Sequence, residues 1–174
     1  NPFNHVPLTV AELQKDCLCY ISYQGRPVKA SRIFAGYEHE QRVKQLAAQF
    51  HKDPAFATTV AYDQDIVSII HGQVPEKDSN FEQAYHRLVM DIMAQQADST
   101  QLVLQGTDVR RIFVDGGFAR NQVYMHLLAA AFPHIEVFAA SIPQATAMGA
   151  ALAIHSHWNR RQMPGDIIEL KFYK

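Results

Sequence analysis

Only two cysteines occur in the 174 residues, Cys17 and Cys19. Two apart in a stretch rich in strand formers, they point to one face and read most simply as buried small hydrophobes. No metal-ligand set or disulfide framework can be assembled from them, which suits a reducing cytoplasm. Charge of neither sign is in excess: sixteen Lys and Arg stand against seventeen Asp and Glu, a formal net charge of −1. The basic residues are scattered, so there is no electrostatic footprint for nucleic acid or for an anionic membrane. No apolar run approaches a membrane span, and no basic, apolar, cleavable leader opens the chain. The histidines are no richer in chemistry. His155 and His157 lie two apart on an expected helix and diverge, while His39, His51, His71, His86, His126 and His134 have no partner at ligand spacing, so surface or packing roles are expected. Walker-type Gly-Lys-Ser, Asp-x-Gly-Thr and Gly-x-Gly-x-x-Gly runs do not occur either.

What is present is a globular chain of one domain's size, 48% hydrophobic, opening on Asn1-Pro2-Phe3-Asn4-His5 without a methionine, as a segment cut from something longer would. Thr9 and Glu12 have capping-box spacing, which predicts a short helix from Val10 to Lys15. Strands are predicted at Leu18 to Tyr23 and Val28 to Phe34, joined as a hairpin through Gln24-Gly25-Arg26-Pro27. Ala35-Gly36-Tyr37 then closes the hairpin and opens a helix from Glu38 to His51, with Val43, Leu46, Ala47 and Phe50 on one face. Lys52 to Val60 reads as a loop, Ile66 to Ile70 as a short strand or a helical turn, and Gly72 to Ser79 as a linker. A long helix is predicted from Phe81 to Leu104, with Ala84, Leu88, Ile92 and Gln95 on its apolar stripe and Gly106 ending it. From Arg111 the pattern alternates: strand to Val114, helix Val123 to Phe132, strand Glu136 to Ala139, helix Ala145 to Trp158, and at Ile167 to Phe172 an edge strand or tail. That alternation predicts an α/β sandwich with a parallel segment.

The chemistry gathers where Ile112-Phe113-Val114, read as a buried strand, runs into Asp115-Gly116-Gly117-Phe118-Ala119-Arg120-Asn121 and an apolar helix. Glycine removes the Cβ that keeps a ligand off the backbone, and a helix start offers unpaired N–H groups to an anion such as phosphate. Two glycines alone are equally compatible with a plain turn. Downstream, Ser141-Ile142-Pro143-Gln144 leads into Ala145-Thr146-Ala147-Met148-Gly149-Ala150-Ala151, a helix so free of bulk that it can pack tightly on a sheet and shape a cleft.

Asp115-Gly116-Gly117-Phe118-Ala119-Arg120-Asn121, followed by Ala145-Thr146-Ala147-Met148-Gly149-Ala150-Ala151-Leu152, resembles the adenosine motif of the FGGY carbohydrate kinases. The hairpin, the Gly36 turn and the long helix before Arg110 are similar to that family's C-terminal domain, so the resemblance covers most of the chain. It implies an α/β, actin-like ATPase (ribonuclease H-like) domain over residues 1–174, a mixed sheet with an N-terminal antiparallel hairpin and flanking helices. Such a domain forms the nucleotide half of a two-domain cytoplasmic kinase that uses ATP and Mg2+. By this likeness Gly116 and Gly117 approach the nucleotide phosphates, Asn121 hydrogen-bonds adenine, and Gly36 and Glu40 belong to a turn that touches the nucleotide. Asp115 caps its turn or holds a metal-bound water. Glu40 stands where an amide is common, and as the third residue of its expected helix it can bond that helix's own start instead; Phe118 stands where a small residue is common, and Gln144 where glutamate is usual. The resemblance assigns no catalytic residue and no metal ligand here. The catalytic aspartate and most sugar contacts belong to an upstream N-terminal domain, the expected partner, which shares the sugar; that sugar is a ketose or deoxyketose such as rhamnulose, fuculose or xylulose. The chain alone is therefore expected to be inactive, with apolar surface exposed where its partner sits. A non-catalytic actin-like nucleotide or interaction module is the alternative. A dinucleotide oxidoreductase ranks last, because Glu136 lies at the wrong end of its strand to hold a ribose.

Overall fold

The computed structural model describes residues 1–72, 78–141, 145–163, 165 and 167–174, and the backbone alone of 145 and 146. Helix α1, Val10–Gln14, carries the full capping box: Thr9 Oγ1 accepts from the Glu12 N–H while the Glu12 carboxylate accepts from the Thr9 N–H. Strands β1, Cys17–Ile21, and β2, Pro27–Ser31, form the expected antiparallel hairpin in the register Cys17↔Ser31. Residues Pro2 to Asn4 lie along the other edge of β2 through a bridge of Phe3 to Val28. Of the two cysteines only Cys17 is buried; Cys19 is exposed, because the buried strand of this hairpin is β2, at Val28 to Ala30, while β1 is exposed beyond Cys17.

Helix α2, Ala35–Gln49, begins earlier than its apolar stripe indicates, so Gly36 sits inside its first turn and not in a preceding loop. The expected loop after it holds a 3-10 turn, Pro54–Thr59, started by the Asp53 carboxylate on the Ala55 N–H. Ile66 to Ile70 lies within helix α3, Gln64–Gly72. Most of the Gly72 to Ser79 linker falls outside the described residues, as do Ile142, Pro143 and Gln144.

Helix α4, Phe81–Leu104, is the axis of the fold and packs against α2, α3, β2 and α5 (Gln122–Ala131). Asn80 caps its start through the Gln83 N–H, and Gly106, at φ +75°, lies just past its end. Ala84, Leu88 and Ile92 are buried in the core, whereas Gln95 is exposed and donates to Glu38: beyond Met93 the buried positions are Ser99 and Val103.

The second sheet has the order β3–β4–β5, with β3 (Arg111–Val114) parallel to β4 (Glu136–Ser141) and β5 (Glu169–Tyr173) antiparallel to β4. The last segment is thus an edge strand. One face of this sheet meets α5, which buries Val123, Leu127 and Leu128, and on that side Val137 and Tyr173 are buried too. The other face carries a ladder of rings, Phe113 on Phe138 and Phe138 beside Phe172. Strand β3 is therefore not the buried strand its apolar run suggests: Phe113 is 56% exposed, because β3 is an edge strand and this face has no helix on it among the described residues. The expected single helix from Ala145 to Trp158 breaks at Ile154 into α6 (Ala145–Ala153) and α7 (His155–Trp158). Residues 147–150 are exposed rather than packed tightly on the sheet, since alanine and glycine bring little apolar area to hold them there.

Candidate functional site

The strand–glycine–helix unit is built differently from its simplest reading. After β3 the chain makes a left-handed step at Gly116, φ +72°, then a helical residue at Gly117, φ −63° and ψ −42°, and a 3-10 turn, Phe118–Arg120. Only after this turn does α5 begin, and Asn121 caps it: Oδ1 accepts from the Tyr124 N–H at 3.1 Å. One N–H of the helix start is thus taken by the side chain of the chain's own asparagine.

A cavity of about 670 Å³, within the range of small-molecule sites, opens between this turn, the first turn of α2 and the 3-10 turn at Pro54–Thr59. Gly36, Gly117 and Asn121 all line it, together with His39, Tyr85, Phe118 and Arg120. Three residues singled out from two separate stretches of the sequence are thereby brought to one place. The others are not. Gly116 turns the chain just outside. Glu40, the sixth residue of α2 and not the third, is exposed and paired with Lys44, so it makes no bond to its own helix start. Asp115 faces a different cavity, of about 600 Å³, between the start of the chain, α4 and β3, and the turn it was expected to cap has no side-chain cap.

Phe118, large where a small residue was expected, stacks on Tyr124 at 4.3 Å and meets the edge of His39 at 5.5 Å, so its ring forms a wall joining α2 to α5. Tyr85, from α4, is 2% exposed and forms the junction of the site. Asn121 Nδ2 donates to its hydroxyl at 2.9 Å, and His39 Nε2 lies 3.0 Å from the same oxygen. Burial pushes the Tyr85 phenol up to about 12, the Asn121 bond opposing it, and burial lowers His39 below its ordinary value, so at neutral pH both are uncharged. The hydroxyls of Thr58 and Thr59 are donated to the Ala55 and Phe56 carbonyls, which leaves their lone pairs toward any ligand. Among the described residues no acid lines the cavity, and Arg120 supplies its cation. Such walls fit a planar, apolar ring with polar edges and a negatively charged appendage. They do not fit Mg2+, which takes carboxylate oxygens.

Residues 4–162 match the model of the carbohydrate kinase FGGY family, C-terminal domain. The chain belongs to this family. The FGGY domain is also similar in structure to a carbohydrate kinase from Novosphingobium aromaticivorans, with a TM-score of 0.63 and 18% sequence identity over 92% of this chain and 37% of that one. Its fold is the actin-like ATPase fold, and it spans well under half the length of that structural relative. No curated protein matches the chain. His39, Tyr85 and Arg120 were not singled out from the sequence. Arg120 lies inside the quoted motif and could have been; His39 and Tyr85 carry no local signal, since what brings them into the cavity wall is the meeting of His39 and Asn121 on the Tyr85 hydroxyl, from 46 and 36 residues away from Tyr85 along the chain.

Proposed function

We propose that the chain is the ATP-binding half of a carbohydrate kinase that transfers the γ-phosphate of ATP to a hydroxyl of a ketose or deoxyketose, the remaining half being an N-terminal domain of the same cytoplasmic protein. The adenine end of the nucleotide lies in the 670 Å³ cavity, between Gly36 on α2 and Gly117 on the turn, with its polar edge on Asn121 and its phosphates toward Arg120. One observation carries this reading. Gly117 has ordinary helical angles, Gly36 has no positive φ, and a Cβ built on either meets no atom within 4 Å. Neither the backbone nor the packing of the protein calls for glycine at these positions, and the space their missing side chains leave lets a ligand lie against the bare backbone. Gly116 is the contrast: its φ of +72° accounts for it without any ligand.

Phosphoryl transfer gathers a nucleotide, a metal ion and a positioned hydroxyl between groups that neutralise charge and accept a proton. The residues of this chain supply the first of these tasks, and Mg2+ with the proton acceptor belongs to the partner domain in this reading. Titrating the chain with ATP and ADP by calorimetry, with amide spectra recorded in parallel, tests it. Saturable binding that shifts Gly117 and Asn121 is expected, with no phosphorylation of any sugar by the chain alone. Absence of any shift at both residues defeats the assignment of the site.

A further inference from the structure

An asparagine amide has two N–H donors and two oxygen lone pairs. In Asn121 one of each is spent within the protein: Oδ1 accepts from the Tyr124 N–H at 3.1 Å, and Nδ2 donates to the Tyr85 oxygen at 2.9 Å. What remains for the cavity is one lone pair and one N–H, side by side. That pair matches an edge that offers an N–H beside a ring nitrogen, the bidentate pattern by which a carboxamide takes adenine. Turned over, the same amide would offer the opposite order to the base and would set its NH2 against the Tyr124 N–H. The Tyr85 hydroxyl has a single proton and two partners. The Tyr124 N–H holds Oδ1 and so turns the NH2 end of the amide to that oxygen; the hydroxyl proton then goes to the other partner, His39 Nε2, 3.0 Å away on a ring kept neutral by burial, which accepts it in the Nδ1–H tautomer.

We propose that Tyr85, its proton directed to His39, is a specificity-determining residue: together with the Tyr124 N–H it holds the Asn121 amide in one orientation toward the cavity and so selects a 6-aminopurine nucleotide over a 6-oxopurine one. The proposal rests on the reading that a purine occupies this cavity. It assigns a function to a buried tyrosine and a half-buried histidine that touch no phosphate and that the motif does not include. Ring packing is a separate role for Tyr85, which stacks on Phe81, and removal of the hydroxyl alone leaves that stack in place.

The test compares the affinities of ATP and ITP, which differ at the purine 6-position and in its N1 proton, for the chain and for Tyr85→Phe, with melting curves to show that both are folded. The native chain should prefer ATP, and in Tyr85→Phe the ratio of the two affinities should fall by about tenfold. A purely structural role would weaken both nucleotides alike and leave the ratio unchanged. His39→Leu should reproduce the loss of selectivity, while His39→Gln, which retains an acceptor, should restore part of it; His39 stands on another helix, so its variants serve if Tyr85→Phe fails to fold. Binding of both nucleotides with a ratio that neither Tyr85→Phe nor His39→Leu changes overturns the proposal and leaves the nucleotide site standing. Binding of neither nucleotide by the native chain overturns the site itself, and the proposal with it.

Discussion

The two cavity glycines allow stability and binding to be driven in opposite directions by one methyl group. At Gly117 the backbone already has helical angles, and at Gly36 it lies in the first turn of α2. Alanine at either position removes conformational freedom from the unfolded chain and meets no protein atom within 4 Å, so each substitution should stabilise the fold by about 0.4–1 kcal/mol. For a domain of this size that raises the melting temperature by roughly 1–4 °C. The new methyl has only the cavity or solvent to enter. If the base lies against these glycines, the methyl displaces it at a cost of about 1–3 kcal/mol, the range for overfilling a packed site, which is roughly 5- to 150-fold in the ATP dissociation constant. Gly116→Ala provides the control: at φ +72° it should cost about 1–2 kcal/mol of stability. Melting curves and ATP titrations of the three variants read both quantities. A Gly117→Ala protein that is more stable and binds ATP as tightly as the native chain would show that nothing approaches that glycine, and the main support for the nucleotide site would be gone.

The buried pair of Lys29 and Glu12, 2.7 Å apart, should govern acid stability. The hydrogen bond from Lys29, and after it the one from the Thr9 N–H, holds the Glu12 carboxyl down to about 2 from its ordinary 4.5. Because the folded value is the lower one, this contribution is complete above 4.5 and is lost as the pH falls from there toward 2. Urea denaturation across that window should show a loss of roughly 2 kcal/mol that is missing from the double variant Glu12→Gln/Lys29→Met; equal acid losses in the two proteins would rule the pair out. His51 has φ +52° just beyond the end of α2, so His51→Gly should raise stability by about 1 kcal/mol, and a lowered melting temperature would contradict the strain it is expected to relieve. The ring ladder on the outer face of the second sheet, with Phe113 56% and Phe172 51% exposed, should make the isolated chain self-associate as its concentration rises. Phe113→Lys should abolish that shift on size-exclusion chromatography, and concentration-independent elution of the native chain would refute it.

Elements whose signals are local were legible in the sequence. Helix α4 has its apolar stripe and its terminating glycine at Gly106 written in its own stretch, and the Thr9 capping box and the hairpin are equally local. Burial was less legible, because it depends on what lies opposite. Ile112-Phe113-Val114 is apolar enough to be a core strand, yet it stands at an edge with Phe113 facing outward, and the bulk-free run after Ala145 reads as a packing surface although residues 147–150 are exposed. The site divides the same way. Gly36, Gly117 and Asn121 belong to recognisable stretches, and the cavity joins them. Glu40 was misplaced by a helix start that moved three residues, which turned an N-terminal carboxylate into a surface partner of Lys44. Tyr85 counts in the sequence as one more ring on an amphipathic helix, and only the approach of α2 and α5 to its hydroxyl gives it a role.

Helix α4 presents Tyr85 to the cavity near one end, and near the other its Val103 carbonyl, with that of Gln105 just past it, is held by the buried Asn4 amide. At the rise of an α-helix the two points are about 27 Å apart, with no loop between them. One continuous helix therefore carries both the anchor of the chain's opening segment and the Tyr85 hydroxyl. The Asn121 amide and the chain's opening segment are tied to opposite ends of the same element.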